Sequence, residues 1–200
     1  LIAETGGLNA MIVDSTALPE QAVRDILASA FQSAGQRCSA LRVLYVQEDV
    51  EDKVLTMLHG AMDELRLGDP WDLETDVGPV ITAMARDDIE SHVARARSDG
   101  QLMHRLKKPG KGHFVAPVTI RVGGIEDVER EVFGPVLHVA RFAAGQLDQV
   151  LGAINASGYG LTFGLHTRID DRVQHVDDRL KVGNLYVNRN QIGAIVGSQP

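Results

Sequence analysis

The chain's one cysteine, Cys38, sits in the run Gly35-Gln36-Arg37-Cys38-Ser39, where a helical pattern stops and a strand-forming run begins. A thiol in such a junction is held by neighbouring backbone and open to a reactant, and its thiolate is a nucleophile toward carbonyl carbon. A buried structural thiol is the competing reading and, for an isolated cysteine, the commoner one. Glu4 stands directly before Thr5-Gly6-Gly7. A carboxylate beside a glycine turn has the reach of a general base, and is equally at home as a solvated residue before a turn. Glu131-Val132-Phe133-Gly134-Pro135 puts a carboxylate and an aromatic ring two apart. Extended backbone places both on one side, where they suit a sugar hydroxyl and a flat ring; the plain alternative is a loop entering a strand, with Phe133 in the core.

Other patterns fall away. Gly158-Tyr159-Gly160 with Gly164 spaces its third glycine one position late for a dinucleotide loop, and a helix precedes it where a strand belongs. The seven histidines show no metal-ligand spacing, and no metal site is expected. Lys107-Lys108-Pro109-Gly110-Lys111-Gly112 reads as a solvated hairpin tip.

The elements that must position these residues alternate between strand and helix. Residues 1–14 read as strand, turn, strand. A helix follows, capped by Ser15 or Thr16, with Pro19 in its first turn, an apolar face of Ala22, Val23, Ile26, Leu27, Ala30 and Phe31, and Gly35 as its stop. Residues 41–47 form a strand and 50–65 a helix that breaks at Gly68-Asp69-Pro70. A helix covers 83–97 and a strand 114–122, where Pro117 suggests an edge or a bulge. Strands at 134–142, 161–167 and 185–188 alternate with helices at 147–154 and 169–180. The expected fold is one α/β domain, a mainly parallel open sheet with flanking helices.

Composition sets outer bounds. Of 200 residues, 44% are apolar and 24% charged, as in ordinary globular proteins. A net charge of −7 argues against nucleic acid as a partner. One cysteine excludes an internal disulfide and fits a reducing, cytoplasmic setting. No apolar run approaches the roughly 18 residues of a membrane span. The chain opens on Leu1 and closes on Gly197-Ser198-Gln199-Pro200, and we expect it to be part of a longer protein.

Taken together, the three chemical segments resemble the aldehyde dehydrogenase superfamily, in its order and over essentially the whole chain. Glu4-Thr5-Gly6-Gly7 resembles the family's Glu-x-Gly-Gly box, Gly35-Gln36-Arg37-Cys38 its Gly-Gln-x-Cys box, and Glu131-Val132-Phe133-Gly134-Pro135 its Glu-x-Phe-Gly-Pro box. The 34 residues from Glu4 to Cys38 match the family's separation. Asn184-Leu185-Tyr186-Val187-Asn188-Arg189-Asn190 and the run Gly193 to Pro200 look like the branch that oxidises L-glutamate γ-semialdehyde, formed from 1-pyrroline-5-carboxylate, and most like that part of the bifunctional proline-utilisation flavoproteins.

The resemblance implies the following roles. Cys38 attacks the aldehyde, its backbone N–H helps hold the oxyanion, and Glu4 activates the hydrolytic water. Glu131 binds the nicotinamide ribose of NAD and Phe133 packs against the nicotinamide end. Ser39, with the backbone of Gly193 and Ala194, anchors the substrate's α-carboxylate. The substrate is a small aldehyde, the parent enzyme is expected to be a homo-oligomer, and FAD belongs only to a separate upstream module if that parent is bifunctional.

The family's NAD-binding domain lies upstream of the Glu-x-Gly-Gly box, and its oligomerisation segment lies beyond the Phe-Gly-Gly run that follows Gln199-Pro200. These 200 residues are therefore expected to be the thiol-bearing catalytic domain, inactive alone and prone to self-association. The competing functions are another NAD(P)-dependent aldehyde dehydrogenase, a coenzyme-A-acylating one (disfavoured by Glu4), and a catalytically silent assembly module.

Overall fold

A computed structural model of the chain describes residues 6–193. Their core is a seven-stranded sheet formed by β1 (Asn9–Val13), β2 (Leu41–Gln47), β3 (Leu102–Arg105), β4 (Val118–Arg121), β5 (Val136–Phe142), β6 (Thr162–His166) and β7 (Asn184–Val187). The spatial order is β3-β4-β5-β2-β1-β6-β7. Every pairing is parallel except the β3–β4 hairpin. This is the α/β architecture expected from the alternation of periods.

Helices cover both faces, which is why the inner strands bury apolar residues on both sides. The helices α1 (Pro19–Phe31), α2 (Glu51–Asp63) and α3 (Ala83–Ser98) pack on one side, where Ile26, Leu58 and Val93 meet Met11, Leu44 and Val139. The helices α4 (Leu147–Ala156) and α5 (Asp170–Asp177) cover the other, where Leu151 and Val176 meet Ile12, Tyr45 and Phe163. No helix among the described residues is long and apolar enough to cross a membrane.

Local expectations were corrected in three places. Neither Ser15 nor Thr16 caps α1; Leu18 holds that position without a side-chain bond and Pro19 opens the helix. The Thr16 hydroxyl is occupied by Asp14 at 2.7 Å, a local turn that competes with capping. The strand expected over residues 114–122 is limited to Val118–Arg121. It is an inner strand rather than an edge: Pro117, lacking an N–H, stands just before it and contributes only its carbonyl, to the Leu106 N–H. The partner β3 had not been foreseen, although Lys107 to Gly112 do lie in the hairpin connection. The first strand expected before Gly6 lies outside the described residues.

Candidate active site

The chemical segments gather at one end of the sheet. Gly6–Leu8 lead into β1, Cys38–Ala40 into β2, Glu131–Pro135 into β5 and Tyr159–Leu161 into β6. All are at the amino ends of parallel strands, whereas open α/β sheets usually bind ligands beyond the carboxyl ends. At this end helix α1 presents its negative pole.

The loop bearing Cys38 is built by steric exclusion and buried amides. After α1, Ser33, Ala34 and Gly35 all take left-handed backbone angles, with φ of 56°, 53° and 66°. A Cβ at Gly35 would strike the Gly134 carbonyl, so this glycine is required by both angle and space. Gln36 clamps a neighbouring segment at two points, donating to the Pro79 carbonyl at 3.2 Å and accepting the Ile81 N–H at 2.9 Å. Asn9 donates to the carbonyls of Cys38, at 2.6 Å, and Ala40, at 2.9 Å, while its Oδ1 accepts the Thr162 N–H. Cys38 itself is exposed, unlike the usual structural cysteine. Its backbone N–H meets no acceptor among the described residues.

The carboxylate segment locks onto the same loop. Glu131 Oε2 accepts the Gly7 N–H at 3.0 Å. Glu131 Oε1 accepts Arg42 Nε at 3.1 Å and Nη2 at 2.8 Å. Arg42 also donates to the carbonyls of Gly134 and Arg37, each at 3.1 Å. Its guanidinium lies 5.3 Å from the centroid of the Phe133 ring. Burial pulls the Arg42 guanidinium below the usual arginine range, and Glu131, with Cys38 behind it, opposes that shift. A Cβ at Gly7 would collide with the Cys38 carbonyl, so the Gly-Gly turn and the cysteine loop are in direct contact.

Phe133 is 45% exposed rather than core, while Val132 between it and Glu131 is buried. The alternation read from the sequence therefore holds. An exposed flat ring beside a fixed carboxylate fits a ribose and its attached heterocycle. At Gly6 a Cβ would come within 3.3 Å of Glu131 Oε2, and the missing side chain keeps that oxygen clear.

Ser39 is half-buried, and its carbonyl accepts the Thr162 hydroxyl at 3.2 Å. The Gln191 side chain approaches the same oxygen at 3.5 Å, which brings the segment leading to Gly193 against Ser39. Gly193 has a φ of 80°. Glu4 and Ala194 lie outside the described residues. Sequence reasoning missed Asn9, Arg42 and Gln191. The available signal was a polar residue inside or beside an apolar strand, most clearly Arg42 in Leu41-Arg42-Val43-Leu44. No group of three potential metal ligands occurs among the described residues. A cavity of about 550 Å³ lies beside α3, with His92, Arg130 and His138 in its wall.

Comparison with known proteins matches all of residues 1–200 to the model described as the aldehyde dehydrogenase family. The chain is 55% identical to the bifunctional protein PutA of Klebsiella aerogenes, over its whole length and 16% of that protein. It is 39% identical to 1-pyrroline-5-carboxylate dehydrogenase of Bacillus cereus, over 39% of that protein. The structure superimposes on 1-pyrroline-5-carboxylate dehydrogenase from Thermus with bound NAD, with a TM-score of 0.90 and 34% identity, covering 98% of this chain and 38% of that one. The chain thus spans about a sixth to two fifths of the length of these relatives.

Proposed function

The chain belongs to the aldehyde dehydrogenase family, and from that premise we propose that it is the thiol-bearing catalytic domain of an enzyme that oxidises L-glutamate γ-semialdehyde to L-glutamate with NAD, the second step of proline catabolism. The observation that carries this reading is the convergence of an exposed thiol, a carboxylate fixed by three donors and an exposed aromatic ring around Arg42. Similarity to a PutA protein and to two 1-pyrroline-5-carboxylate dehydrogenases supports the substrate, and the NAD-bound relative supports the cofactor.

Cys38 Sγ, as thiolate, adds to the aldehyde carbon and forms a thiohemiacetal. The new oxyanion faces the Cys38 N–H, a donor with no competing acceptor among the described residues. NAD, when bound, supplies the acceptor for the hydride that leaves the thiohemiacetal carbon. Glu131 would hold the nicotinamide ribose and Phe133 would cover the ring's end. The product on Sγ is a thioester. Glu4 takes a proton from water, the hydroxide adds to the thioester carbonyl, and collapse releases glutamate and the thiolate. Ser39 and the backbone around Gly193 and Ala194 bind the α-carboxylate with neutral donors, which puts no competing cation near the thiolate.

Substrate choice is tested on the full-length protein by following NADH formation with glutamate γ-semialdehyde and with butyraldehyde, a chain of similar length without the α-amino and α-carboxylate groups. The proposal expects kcat/KM to favour the semialdehyde by at least about 100-fold, since a site built for a polar group rejects analogues that leave it unpaired. Equal rates would reassign the enzyme to another aldehyde.

A further inference from the structure

Arg42 touches the loops of all three motifs directly or through Glu131, yet the chemistry above gives it no part. Its position follows from an irregularity in the sheet. Along the β1–β2 pair Asn9 faces Leu41 but Ala10 faces Val43, so one step of β1 is matched by two of β2 and Arg42 is the extra residue. The side chain enters the protein with only 1% of its surface exposed.

A buried cation is costly unless its donors are satisfied, and this one makes four hydrogen bonds to three acceptors. Stability does not account for the pair, because apolar residues of similar volume commonly serve a buried site equally well. Geometry does. Both Arg42 donors to Glu131 fall on Oε1, and the Gly7 N–H fixes Oε2. The carboxylate is thereby held in one rotamer, its Oε2 next to Gly6, where no side chain covers it. The same guanidinium lies against the Phe133 ring and bonds the carbonyl immediately before Cys38.

We propose that Arg42 is a positioning residue for cofactor capture: it holds Glu131 and Phe133 ready for the nicotinamide riboside end of NAD and ties that arrangement to the nucleophile loop. The proposal rests on the reading of Glu131 as the ribose ligand. Preorganisation of this kind improves affinity by removing ordering costs from the binding step. Lysine cannot replace the fork of donors, because its ammonium is a single point charge.

The test is a double-variant cycle read by calorimetric titration of NAD into the full-length protein, with thermal melting as the control for folding. Arg42→Lys is expected to weaken NAD binding about tenfold or more, in line with loss of charge-assisted hydrogen bonds. Glu131→Gln should weaken it comparably, and the double variant should bind no more weakly than Glu131→Gln alone. If Glu131→Gln leaves NAD affinity unchanged, the ribose reading fails and takes this proposal with it. Should Glu131→Gln weaken binding while Arg42→Lys does not, or should the two losses add, Arg42 alone is overturned. If Arg42→Lys does not fold, Arg42→Gln in the Glu131→Gln background, which leaves no unpaired buried charge, gives the comparison: affinity equal to Glu131→Gln supports the proposal, and a further loss overturns it.

Discussion

The Asn9 side chain donates at 2.6 Å to the carbonyl of Cys38, so a buried amide at the start of β1 holds the nucleophile's own peptide in place. Its second proton goes to Ala40 and its oxygen takes the Thr162 N–H. Asn9→Ala leaves two carbonyls and one N–H without these partners. The expected cost is on the order of 3 kcal/mol in urea denaturation, with a fall in kcat beyond what lost folding explains. Asn9→Asp should be no better, because a carboxylate has no proton for the two carbonyls. Wild-type stability in either variant would show that the amide does not hold the loop.

Gly7→Ala places a methyl group against the Cys38 carbonyl. A displacement near 1 Å at a reacting group costs about 100-fold in rate, and that is the expected loss in kcat. Gly35→Ala adds a disfavoured φ to its clash with Gly134 and should destabilise by more than about 1 kcal/mol. Gly60→Ala is the matched control. That position is exposed in α2 with nothing near its Cβ, and helix propensity predicts a gain of about 0.5–1 kcal/mol. Comparing the three melts and rates separates loop geometry from general sensitivity to alanine.

Buried His138 predicts an acid limb in stability. Burial is the main cause, with His92 next, and its pKa is pushed from 6.5 down to about 4. The Nδ1 atom lies 3.1 Å from the Arg42 carbonyl, which can only accept, so the neutral ring carries its proton there and Nε2 accepts from His92 at 3.0 Å. Because the unfolded ring binds a proton near pH 6.5 and the folded ring does not, stability is full above that pH. It is lost as pH falls toward 4, by on the order of 3 kcal/mol. Urea midpoints between pH 7 and 4 should show this slope, and His138→Gln should flatten it. An unchanged slope in the variant would assign the limb to other groups, among them His92, whose pKa burial also lowers.

Trp71, Leu73, Ile81 and Met84 are all strongly exposed within one short stretch that contains no regular strand or helix until Ala83. Exposed apolar side chains at this density promote association. Expressed alone, the 200 residues should show a mass by light scattering that rises with concentration, and Trp71→Arg with Leu73→Asp should reduce it. A clean monomer at high concentration would contradict this.

Much of the fold was legible because period and length agree: β2 spans Leu41–Gln47 as read, and the alternation of strand and helix leads directly to a parallel sheet. The losses have physical causes. Thr16 has the right type and place for a cap, but Asp14, two residues back, competes for its hydroxyl. The reading of residues 114–122 followed an apolar run that Pro117 divides. At the site, Cys38, Glu131 and Phe133 stood out through their motifs. Apart from the Arg42 bond to the Arg37 carbonyl, Arg42, Asn9 and Gln191 work through side-chain partners 29 to 153 residues away, and no local pattern encodes such contacts.

The central claim is that Cys38 is the nucleophile of an NAD-linked aldehyde oxidation. The most direct measurement is NADH formation from glutamate γ-semialdehyde by the full-length protein and by its Cys38→Ala variant, with melting curves to establish that both are folded. We predict robust turnover in the first and none above background in the second. Turnover that survives the substitution would contradict the mechanism.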